Sequence, residues 1–101
     1  MYNPAAGDSI ETLDTPSMVI DLDIVESNIA RLVERFRDSK VALRPHLKTA
    51  KCPELARKML EAGITGFCVA KVSEAEVLAD AGIDDLLITT EMIGKAKLER
   101  F

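Results

Sequence analysis

Apolar positions along the chain keep two rhythms. Val25, Ile29, Leu32, Val33 and Phe36 recur at spacings of three and four. They predict one apolar stripe on a helix over about 24–37, with Arg31, Glu34, Arg35 and Arg37 on its other side. Asp23, followed three positions later by Glu26, reads as the N-cap of that helix. Leu55, Ala56, Met59 and Leu60 form a second stripe, opened by Pro53 in the first turn and stopped by Gly63. Val77, Leu78 and Ala81 form a third, running from a capping box at Ser73-Glu74-Ala75-Glu76 to Gly82. The second rhythm is a set of short apolar runs: Met18–Leu22, Val41–Leu43, Phe67–Ala70 and Leu86–Thr89. Their length and bounding turn residues predict strands. Pro45 should interrupt or end the second of these, since proline donates no ladder hydrogen bond. Gly94 opens a last helix.

An internal echo links these elements. Ala62-Gly63-Ile64 and Ala81-Gly82-Ile83 lie 19 residues apart, and each leads into a short apolar strand. Helix, glycine stop and strand, repeated, is the rhythm of βα units. Apolar strands joined by helices imply a parallel sheet covered by helices, hence an α/β fold. The echo alone does not separate an open sheet from a barrel. With 101 residues the chain is one domain at most, and far short of the roughly 250 of an (α/β) barrel.

Composition narrows the function classes. Five Gly and four Pro exclude collagen-like or low-complexity chains, and 48% hydrophobic residues argue against disorder. No apolar run nears the roughly 18 residues of a membrane span, and the N-terminus lacks the pattern of a signal peptide. A cytoplasmic protein, with no membrane partner, is the expectation. The net charge of −4 is uneven: residues 1–30 hold six acids and no Lys or Arg, while residues 31–60 hold nine bases against three acids. That basic third favours an anionic ligand such as a phosphate ester, although single bases also suit solvated helix faces. An acidic chain with 4% aromatics gives no sign of a nucleic-acid surface. Cys52 and Cys68 form no C-x-x-C pair, and with the single His46 they make no four-ligand zinc site; both read as reduced, packed thiols.

No G-x-G-x-x-G, G-x-x-x-x-G-K-[ST] or G-x-S-x-G is present, which sets aside nucleotide loops and a serine-hydrolase elbow. The unusual segment is Arg44-Pro45-His46-Leu47-Lys48-Thr49-Ala50-Lys51. In parallel α/β folds catalytic groups gather at the C-terminal ends of strands, where this segment falls. Three cations and an imidazole so close together are expected to favour a neutral lysine amine, a nucleophile for Schiff-base chemistry. If the strand runs through residue 48, Arg44, His46 and Lys48 share one face and Lys51 lies in the loop beyond.

These residues also carry a resemblance. L-D-T-P-S-M-V-I-D-L-D (Leu13–Asp23) with Asn28-Ile29-Ala30-Arg31 resembles the start of the D-threonine aldolase and eukaryotic-type D-serine dehydratase family. R-P-H-L-K-T-A-K at Arg44–Lys51 is similar to that family's lysine motif, extended by C-P-E-L-A-R, and Cys68–Ile88 is similar to the next βα segment. The resemblance implies an alanine-racemase-type fold: an α/β pyridoxal-phosphate-binding (β/α)8 barrel with a separate β-rich domain. Residues 1–22 would be a polar leader and a strand of that β domain. Residues 23–101 would be part of the barrel, about three βα units, with Val41, Phe67 and Leu86 opening its first three strands. By the motif, Lys48 matches the catalytic lysine that binds pyridoxal 5′-phosphate, and Arg44 and His46 match positions beside the cofactor. Ala50 stands where the motif often carries histidine.

The implied activity is retro-aldol cleavage of D-threonine-like β-hydroxy-α-amino acids to glycine and an aldehyde. The alternatives are dehydration of D-serine-type substrates to a 2-oxo acid and ammonia, and a non-catalytic remnant. The resemblance further implies a divalent metal (Mn, Mg or Zn) with ligands late in the sequence and none in this chain. It also implies a small-molecule D-amino acid substrate and a homodimer for the full-length protein. A chain stopping at Phe101 would be an inactive fragment, unstable or self-associating because of its open sheet edge.

Overall fold

The 19-residue echo is the register of a parallel pair. In the computed structural model, which describes residues 2–101, strand β1 (Phe67–Val69) pairs in parallel with β2 (Leu86–Ile88). Phe67 stands against Leu86 and Val69 against Ile88, so the units repeat in space with the offset at which they repeat in sequence. A short 3-10 turn at Ile10–Thr12 is followed by helices α1 (Leu22–Phe36), α2 (Pro53–Glu61), α3 (Val72–Asp80) and α4 (Lys95–Leu98).

The repeated glycines end α2 and α3 in one way. Gly63 and Gly82 sit at φ +106° and +82°, a left-handed conformation that glycine adopts without Cβ strain. In each case two crossed hydrogen bonds close the helix. Gly63 N–H donates to Leu60 O (2.9 Å) and Ile64 N–H to Met59 O (3.0 Å); Gly82 N–H donates to Ala79 O (2.9 Å) and Ile83 N–H to Leu78 O (3.0 Å). This is the Schellman pattern, in which the residue after the glycine packs back on the helix. Ile64 and Ile83 do so, and both are buried.

The strand predicted from Val41 is reduced to a single bridge. Val41–Leu43 forms no ladder, and the segment meets β1 only through the parallel bridge His46–Cys68. Cys68 N–H donates to Pro45 O and Leu47 N–H to Cys68 O, both at 2.8 Å. The preceding pair in a parallel ladder would need an N–H at residue 45, and proline has none. Val41 is therefore left exposed.

Alternation along these strands separates two faces. Leu47, Phe67 and Val69 are buried in one cluster with Ala56 of α2 and Leu78 of α3, and Val33, Leu86 and Ile88 pack against it. The opposite face carries Cys68 and Leu87, and Leu87 is 51% exposed. Helices thus cover one side, and the molecule is a slab of 45 × 41 × 21 Å. Its radius of gyration, 16.4 Å, exceeds the roughly 13 Å of a compact domain of this length. Leu86–Thr89, expected to be a buried strand, is only half-buried because β2 has one strand neighbour among the described residues.

Other expectations shift. Met18–Asp21 forms no strand, and Leu22 already belongs to α1. An extended segment without a partner has no ladder to join, and Met18 is 91% exposed. The N-cap of α1 is Asp21, whose carboxylate accepts the Ile24 N–H at 3.1 Å, not Asp23. Helix α3 starts at Val72, capped by Lys71 rather than Ser73, and Val77 turns outward while Leu78 is buried.

At the start of the strands Arg44 crosses over Gly66. Its Nη1 lies 2.8 Å from Asp85 Oδ1 and donates to the Asp85 and Phe67 carbonyls at 3.2 and 3.4 Å. A Cβ at Gly66 would overlap the guanidinium and come within 2.6 Å of the Asp85 carboxylate. We predict that Gly66→Ala displaces these two side-chain ends, opens the pair and destabilises the protein by about 1 kcal/mol or less, the worth of a partly exposed ion pair. In an Asp85→Ala background the cost should shrink, as a double-mutant cycle by thermal denaturation would read; an equal cost in both backgrounds would count against the steric account.

Candidate active site

The C-terminal end of the sheet is where the basic segment turns. After the His46 bridge the chain leaves the ladder: residues 47–50 form a turn closed by Lys51 N–H to Leu47 O at 2.8 Å. Lys51 takes a left-handed φ of +47°, which swings the chain into α2. Leu47 anchors the turn, being 2% exposed in the core. Lys48 is exposed, just beyond the last bridged residue. The strand does not run through residue 48, so the three motif residues do not line one strand face as expected.

The structure separates these residues. Arg44 lies at the opposite end of the strands, held by Asp85, whose hydrogen bond raises the guanidinium pKa against partial desolvation. His46 stays at the C-terminal end, where its Nδ1 accepts the Lys48 backbone N–H (3.2 Å) and its Nε2 lies 3.1 Å from Thr89 Oγ1. Lys51 Nζ reaches the Glu74 carboxylate at 3.4 Å. The cation excess of this segment is therefore cancelled locally. Elsewhere in the basic third Arg37, Arg57 and Lys58 are paired with Glu34, Glu54 and Glu26. Of the three motif cations, Lys48 alone takes part in no side-chain hydrogen bond or ion pair among the described residues.

Glu74 holds the turn that follows β1. Its Oε2 accepts the N–H groups of Ala70 (2.8 Å) and Lys71 (3.2 Å), while Oε1 faces Lys51. The Ala70 N–H above all, opposed by desolvation and aided by Lys71 N–H and the Lys51 ammonium, keeps this carboxyl below the usual carboxylate range. Two clefts open nearby. One of about 280 Å³ lies between Leu47, Lys51, Val69 and α3, and one of about 220 Å³ lies between Ala70, Thr90 and α4. Lys48 lines neither, so these residues present an amine without enclosing it. Cys52 and Cys68 are free thiols. Among the described residues no three His, Cys, Asp or Glu side chains gather as metal ligands, and no helix is long and apolar enough to cross a membrane.

Sequence reasoning missed Asp85, Thr89 and the second role of Glu74. A signal for the first existed: Gly66 and Asp85 occupy equivalent places 19 residues apart, immediately before β1 and β2. A glycine beside an acid at matching positions marks room for a crossing side chain.

Comparison with known proteins points one way. A family model described as the N-terminal domain of alanine racemase matches residues 20–100. The chain is 47% identical over 93 residues to a D-threonine aldolase of Arthrobacter sp, covering 91% of this chain and 24% of that one. The crystal structure of a D-threonine aldolase from Filomicrobium marinum superposes with a TM-score of 0.83 at 45% identity, covering 86% and 24% of the two chains. The D-threo-3-hydroxyaspartate dehydratase of Delftia sp. HT23 superposes at 0.81 with 43% identity over 85% and 23%. A dehydratase of that name has also been solved in a metal-free form. The chain thus spans about a quarter of the length of the relatives it matches.

The Glu74 contacts give a pH signature. The carboxyl is lowered in the folded protein relative to about 4.3 in an unfolded chain. Its stabilisation is therefore fully present above that value and is lost as pH falls through the folded pKa. Wild type should exceed Glu74→Gln in denaturation midpoint by a constant margin above about pH 5. The margin should close in acid, whereas a gap independent of pH down to 3 would contradict the assignment.

Proposed function

The chain belongs to the alanine racemase N-terminal domain family, and we propose that it is the lysine-bearing part of a pyridoxal-phosphate-dependent lyase for D-β-hydroxy-α-amino acids. One observation carries this reading: an unpaired primary amine, Lys48, at the C-terminal end of parallel strands while the neighbouring motif cations are tied to acids. The donor set suits a cofactor aldehyde, which needs a free amine and not a metal cluster. Pyridoxal phosphate, when bound, supplies the electron sink that lets a bond to Cα break.

The remaining roles belong to this chain. Lys48 holds the cofactor, and the turn closed by Lys51 N–H to Leu47 O holds Lys48. His46 flanks the cofactor side of the sheet. Arg44 keeps the strand starts together through Asp85, which fixes the sheet on which the amine is mounted. The likeness to D-threonine aldolases favours retro-aldol cleavage of D-threonine-like substrates to glycine and an aldehyde. The likeness to a D-threo-3-hydroxyaspartate dehydratase supports a second reading, elimination to a 2-oxo acid and ammonia. A divalent metal belongs to this reading of the whole protein; no residue described here is assigned to it.

The test is product analysis on the intact protein supplied with pyridoxal phosphate and a divalent metal. D-Threonine should yield glycine and acetaldehyde in equal amounts, L-threonine neither, and Lys48→Ala should lose several orders of magnitude in rate. A 2-oxo acid with ammonia would select the dehydratase reading. Undiminished turnover by Lys48→Ala would sink both.

A further inference from the structure

We propose that Thr89 is a positioning residue for Lys48, acting through the tautomer of His46; the inference rests on Lys48 being the cofactor amine. The contacts form a chain whose direction is set at both ends. At one end the Lys48 backbone N–H can only donate, so His46 Nδ1, 3.2 Å away, must accept and carries no proton. The ring proton then sits on Nε2, which faces Thr89 Oγ1 at 3.1 Å. At the other end the Val69 carbonyl can only accept, and it takes the Thr89 hydroxyl proton at 3.2 Å. The Thr89 oxygen is left as an acceptor for Nε2–H. Every donor and acceptor is matched, in one direction only.

The Thr89 side chain is well placed for this task. Its own N–H also donates to Val69 O, at 2.9 Å, so backbone and hydroxyl are fastened to the same carbonyl at the end of β1. His46 is fastened in turn by its bridge to Cys68. The relay thus spans the ends of all three strand tracks and delivers one lone pair to the amide of the residue that bears the amine. Without the Thr89 acceptor the Lys48 N–H contact at 3.2 Å is left alone to bias the ring, and the form with its proton on Nδ1, which repels that N–H and loosens the turn, gains population.

The experiment compares wild type, Thr89→Val, Thr89→Ser and Thr90→Val in the intact protein. Thr90→Val is the control, since Thr90 Oγ1 donates to Ala70 O at the same strand end without touching His46. Ring nitrogen NMR, assigned with His46→Gln, should show an unprotonated Nδ1 and a protonated Nε2 in wild type. Thr89→Val should show mixed tautomers, and Thr89→Ser the wild-type pattern. Titration with pyridoxal 5′-phosphate should weaken about five-fold in Thr89→Val, the worth of one hydrogen bond, recover in Thr89→Ser and stay unchanged in Thr90→Val. A protonated Nδ1 in wild type, unchanged binding by Thr89→Val, or an equal loss in Thr90→Val would overturn the proposal. If wild type and Lys48→Ala take up the cofactor alike, the reading of Lys48 itself fails, and the proposal with it.

Discussion

A single parallel bridge carries the site. Because Pro45 has no N–H, the segment bearing the amine joins the sheet only where Cys68 N–H meets Pro45 O and Leu47 N–H meets Cys68 O. Two hydrogen bonds of this kind hold little by themselves, each contributing on the order of 1 kcal/mol net. The buried Leu47 side chain adds apolar contact beneath them, and Arg44 adds its bonds to the strand starts. The short ladder has a consequence for chemistry. It releases the backbone at residue 47, so that Lys48 stands in a turn beyond the sheet and not in a row of strand side chains.

Charge is arranged around that turn by pairing. Arg44 is neutralised at one end of the strands by Asp85, and Lys51 is neutralised at the other by Glu74. These pairs are partly exposed, and their value lies in placement more than in stability. They hold two cations in fixed positions and leave the third amine unengaged. A basic segment that looked like an anion-binding surface is thereby divided into two paired cations and one exposed amine without an ion pair among the described residues. Glu74 serves twice, since the same carboxylate accepts the backbone N–H groups at the start of α3.

Much of the fold was legible because its determinants are local. Helix stripes, the proline that opens α2 and the glycines that close α2 and α3 act within one or two turns, and the 19-residue echo already contained the sheet register. Elements that depend on distant partners were not legible. Met18–Leu22 has the residues of a strand but pairs with nothing among the described residues, and Val41–Leu43 is denied its ladder by a missing N–H. Adjacent candidates for one cap, Asp21 and Asp23, differ only in where the chain turns. At the site, the position of the Arg44–Lys51 segment at a strand end was legible, whereas the role expected of Lys48 came from the family motif. Thr89, 43 residues from the side chain it holds, left no local sign, and Asp85, 41 residues from Arg44, left only its match in the repeat to Gly66.

The central claim is that Lys48, not Lys51, is the amine that takes the cofactor. Borohydride reduction of the intact protein with pyridoxal 5′-phosphate, followed by peptide mapping, tests it directly. The account predicts the pyridoxyl adduct on Lys48, with Lys51 protected by Glu74. An adduct on Lys51 or Lys58 in preference to Lys48 would contradict it.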